Sequence, residues 1–67
     1  MAEKKLNKIM FVDESEAVNT YHRIISEKAD VADQTLFFTS ADTALRYLSE
    51  INSTYDFPEL IFTDITL

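Results

Sequence analysis

The sequence predicts an α/β fold, with three parallel strands in the order 2-1-3 joined by two crossover helices. Three observations predict it. Short apolar or β-branched runs fall near residues 7–12, 34–39 and 59–63. Stretches with helical apolar spacing lie between them, near 15–28 and 41–51. Strands that alternate with helices in this way imply parallel pairing through right-handed crossovers.

Residues 1–6 read as a tail. Asn7 to Val12 is the first strand, and its unbroken run Ile9-Met10-Phe11-Val12 suits a strand covered on both faces. Asp13, Glu14 and Ser15 form the turn that follows. Ser15 is a good N-cap and Glu16 complements the first helical turn. Ala17, Val18, Tyr21, Ile24 and Ile25 then make one apolar stripe, and the helix ends near residue 28. Val31 to Asp33 connects to a second strand, Gln34 to Thr39, rich in β-branched and aromatic residues. Ser40 caps a second helix whose stripe is Ala41, Ala44, Leu45, Leu48 and Ile51. Asn52 to Pro58 is a loop, and Glu59 to Thr63 is the third strand. Tyr21, Phe37, Phe38, Tyr47 and Phe62 are expected to cover the sheet, and Tyr55 and Phe57 to pin the loop.

Sixty-seven residues allow one small domain, which buries only about 60% of its unfolded surface. The chain contains no cysteine, which excludes disulfides and thiolate–metal sites. It contains no glycine either, which excludes a P-loop or a dinucleotide fingerprint. Twelve acids against six bases give a net charge of −6, the wrong sign for a nucleic-acid surface. No apolar run reaches the roughly 20 residues of a membrane span. Lys4, Lys5 and Lys8 lack the apolar core that a signal peptide needs after its basic start. A reducing, cytoplasmic setting is the expectation.

The first and third strands both release acid at their C-terminal ends, Asp13-Glu14 and Asp64. In the 2-1-3 order these ends meet at the topological switch point, where open α/β sheets bind ligands. Single carboxylates often follow strands because loops are polar; the topology that gathers three is the informative feature. Two carboxylates about 5 Å apart repel by roughly 3 kcal/mol at an effective dielectric near 20. A hard divalent cation relieves that repulsion, and Mg²⁺ takes one or two carboxylates together with waters and phosphate oxygens. The pattern suits phosphoryl acceptance, with Asp64 as nucleophile. His22, the only histidine, has no second ligand at metal spacing and is expected at the surface.

At these residues the chain resembles the receiver domain of two-component response regulators, a flavodoxin-like fold. The resemblance is carried by Ile9-Met10-Phe11-Val12-Asp13-Glu14, the helix from Ser15, Ala41-Asp42-Thr43-Ala44-Leu45-Arg46-Tyr47-Leu48, and Pro58 through Leu67. It implies that Asp64 is the phospho-acceptor. It also implies that Asp13, Glu14, Asp64 and the backbone carbonyl of Thr66 hold Mg²⁺. The implied partner is a histidine kinase or phosphotransfer protein. Glu14 departs from the commoner aspartate, and Ser40 to Asp42 stand where a glycine often precedes the second helix.

The resemblance covers the N-terminal half of a receiver. The family's hydroxyl residue and lysine from its fourth and fifth strands have no counterpart here, so the expectation is a metal and acceptor half-site without its switch. An apolar third strand at the sheet edge is then expected to drive self-association. The alternative class is a non-catalytic interaction or assembly fragment with the same half-fold. A haloacid-dehalogenase-like phosphatase would need aspartate where Thr66 stands.

Overall fold

The computed structural model describes residues 5–64. The elements are β1 (Leu6–Val12), α1 (Glu16–Ala29), β2 (Ala32–Phe38), α2 (Ala41–Ser49), a 3-10 turn (Thr54–Asp56) and β3 (Leu60–Thr63). The three strands form one parallel sheet in the order β2-β1-β3. Phe11 is in register with Phe37 on one side and Phe62 on the other.

Strand bounds differ from the sequence expectation for a pairing reason. β1 starts at Leu6, inside the expected tail, because Leu6 pairs with Ala32 and its N–H donates to the Val31 carbonyl at 3.0 Å. That register draws β2 forward to Ala32, two residues before Gln34. β3 starts at Leu60, although the Glu59 N–H already donates to the Lys8 carbonyl at 2.9 Å.

Caps set the helices. The Ser15 hydroxyl accepts the Val18 N–H at 3.3 Å, and the Ser40 hydroxyl accepts the Thr43 N–H at 3.2 Å. α1 closes on Asp30, which takes the left-handed conformation (φ 53°, ψ 47°) that aspartate tolerates better than most residues. Asp30 also receives the Lys5 ammonium at 2.8 Å, and this hydrogen bond raises the Lys5 pKa above its ordinary 10.5. α2 stops at Ser49, short of Ile51, because the N–H of Glu50 turns back to carbonyls of the last turn.

The core centres on β1. Ile9, Met10 and Phe11 are all buried, with Met10 fully so, and Ala44 of α2 joins them. Burial of three consecutive strand residues requires cover on both faces of the sheet. On one face Phe37, Phe11 and Phe62 stack as a ladder, with centroids 5.1 and 5.4 Å apart and rings within 10° of parallel. Their spacing follows the strand separation of about 4.8 Å. On the other face Tyr47 of α2 packs against Phe38 at 5.5 Å, and the Lys8 ammonium reaches the Tyr47 hydroxyl at 3.3 Å.

α1 packs over β1 and β2 with an unexpected face. Asn19 and Ser26 are its buried residues, and the His22 ring stacks on Phe11 at 5.0 Å. His22 is therefore part of the sheet cover, which corrects the surface expectation. The predicted stripe stays accessible: Tyr21 is 62% exposed, Ile24 50% and Ile25 45%, with Ile25 lining an open apolar groove beside Phe11 and Phe62. Tyr55 is exposed as well and does not pin the loop.

Candidate functional site at the ends of β1 and β3

The site is built on parallel pairing. Val12 is in register with Thr63, and the Asp64 N–H donates to the Val12 carbonyl at 3.2 Å. This carries the ladder one residue beyond β3 and leaves Asp13 and Asp64 one step past their strands. Backbones of adjacent strands lie about 5 Å apart. The two aspartates, with Val12, His22, Phe62 and Thr63, line one cavity of about 260 Å³. Of the three carboxylates expected to converge at the switch point, Asp13 and Asp64 share this cavity.

The Asp13 turn is tightly organised. The Asp13 N–H donates to the Phe38 carbonyl at 3.0 Å, which fastens the start of the turn to the end of β2. One oxygen of the half-buried Asp13 carboxylate, Oδ1, accepts the Ser15 N–H at 2.9 Å. This is an Asx turn, the local motif by which aspartate leaves a strand and presents the next helix. The same arrangement sets Ser15 to cap α1.

Glu14 is exposed and does not line the cavity. Thr66 lies outside the described residues. Among the described residues no group of three or more histidine, aspartate or glutamate side chains is arranged to hold a metal ion. The donor chemistry of Asp13 and Asp64 nevertheless fits Mg²⁺. Both are hard carboxylates lining one cavity, and Mg²⁺ is commonly held by one or two carboxylates with several retained waters.

Two residues of the neighbourhood escape the motif-based reading. His22 lines the cavity wall, and its Nδ1 is sealed from solvent with no hydrogen-bond partner among the described residues. Asn19 is 5% exposed and lies directly beneath the turn, bonded to it. The available signal was a polar residue inside a helix one turn past its cap, a position where side chains of this type form local backbone bonds.

No family model, curated protein or solved structure matches the chain. No helix among the described residues is long and apolar enough to cross a membrane.

Proposed function

We propose that this chain is a phosphoryl-accepting receiver segment of a two-component signalling system, with Asp64 as acceptor. The observation that carries the reading is the single cavity shared by Asp13 and Asp64 at the switch point of a 2-1-3 parallel sheet. An Asp64 carboxylate oxygen attacks the phosphorus of a phosphohistidine. A P–O bond forms, the P–N bond breaks, and the departing imidazole nitrogen keeps the electron pair and takes a proton from water. Asp13 and Glu14, with the Thr66 carbonyl, are the residues that would hold Mg²⁺ beside Asp64. Mg²⁺ would neutralise charge on the transferring group when bound. The β1–β3 ladder holds the acceptor's backbone in line with the acidic turn.

The test is incubation of the full chain with acetyl phosphate, with and without Mg²⁺, read by intact mass and hydroxylamine sensitivity. The expected outcome is a Mg²⁺-dependent, hydroxylamine-labile phosphoryl adduct that Asp64→Asn abolishes without changing the circular dichroism spectrum. An adduct that survives Asp64→Asn overturns the assignment.

One observation favours a second reading as an assembly module. Among the described residues β3 pairs only with β1, and it exposes Leu60, Ile61 and Phe62 at 40%, 44% and 51%. Self-association through that edge without phosphoryl uptake would select it.

A further inference from the structure

Asn19 is the most buried polar residue among those described, at 5% exposure. A buried amide is unfavourable unless its hydrogen bonds are met, so its partners matter. Its Nδ2 group donates to the Asp13 carbonyl at 3.1 Å and to the Phe38 carbonyl at 3.3 Å. The Phe38 carbonyl also accepts the Asp13 N–H. One side chain on α1 thereby ties the end of β1 to the end of β2. Its Oδ1 is sealed from solvent and has no donor among the described residues. An aliphatic residue would fill this position without that loss. The amide is therefore better explained by the two carbonyls it holds than by packing.

We propose that Asn19 is the positioning residue of the acidic turn. It fixes the backbone from which the Asp13 and Glu14 carboxylates leave and sets their relation to Asp64. Asp13 has little slack in this role, because its Oδ1 is engaged by the Ser15 N–H and the other carboxylate oxygen is left to meet a ligand. Without the amide, the Asp13 carbonyl loses its side-chain donor. The turn is then held by its Asx bond and by backbone bonds alone, without the side-chain tie from α1. The clamp stands on geometry alone; its consequence for metal rests on the phospho-acceptor reading.

Amide hydrogen exchange followed by NMR on the full chain, with Mg²⁺ titration, tests this. Wild type is compared with Asn19→Ala and with Asn19→Ser, which keeps one shorter donor. In Asn19→Ala the Asp13 and Ser15 amides should exchange about tenfold faster than the change in global stability explains, with Asn19→Ser between. Mg²⁺ affinity should fall about 10- to 100-fold, the usual range for groups that orient ligands. Turn amides that change only in step with global stability overturn the proposal and make Asn19 a packing residue. Wild type supplies a reading that needs no variant. The Asn19 side-chain amide protons should exchange slowly, and exchange at the rate of a free amide overturns the clamp. A wild type that takes up no Mg²⁺ defeats the phospho-acceptor reading instead, and amide exchange alone then decides the role of Asn19.

Discussion

Met10 shows how little reserve the domain holds. It is the one large side chain among the described residues with no exposed surface. A chain of this size has a total stability of roughly 3–10 kcal/mol at 0.05–0.15 kcal/mol per residue. Removing a buried Met side chain to Ala costs about 2–5 kcal/mol through lost burial and an unfilled cavity. Met10→Ala should therefore remove a large share of that stability and lower the urea midpoint markedly. A conservative Met10→Leu, which keeps the volume, should cost less than about 1.5 kcal/mol. Asn19 and His22 make a complementary point at the same scale. Neither belongs to an apolar pattern, yet both face the sheet, because their value lies in particular partners: two carbonyls for Asn19 and the Phe11 ring for His22.

At the scale of elements, periodicity read well and facing read poorly. Five elements and their order follow from the alternation of short apolar runs with helical stripes, and both serine caps follow from residue type. The facing of α1 does not. An apolar stripe indicates which side of a helix prefers to leave water, but which side meets the sheet depends on what else is there to cover. Val18, Tyr21 and Ile24 stay accessible while Asn19 and Ser26 are enclosed. Ile24→Gln should thus change stability by no more than about 0.5 kcal/mol in chemical denaturation, as at an ordinary surface site. A loss of the size seen for core residues would show that Ile24 is buried in solution. Ser40→Ala should lower stability by about 1 kcal/mol, because Ser40 caps α2 and also meets the Thr43 hydroxyl at 2.9 Å. Strand ends were the least legible, since β2 takes its first residue from its pairing with Leu6 and not from its own composition.

At the scale of the molecule, the site was legible only in part. Asp13 and Asp64 converge because topology places them, whereas the exposure of Glu14 depends on turn geometry that residue type leaves open. The sheet is also unevenly covered. The helices lie over β1 and β2, and β3 keeps its apolar residues accessible. If two copies meet through β3, a charge placed there should keep them apart. Light scattering on Ile61→Lys at micromolar concentration should then report a monomer where the unmodified chain reports a larger mass. Equal masses for the two would remove β3 from the contact.

The central position of β1 also has a consequence for synthesis. Phe62 follows its partner Phe11 by about fifty residues. At roughly 5–20 residues per second, translation leaves about 2.5–10 s between them. Through that interval the β3 flank of Ile9-Met10-Phe11 has nothing to pair with. A ribosome that pauses before β3 therefore holds out an open apolar strand. Chaperone access in that window guards the strand until its second neighbour arrives.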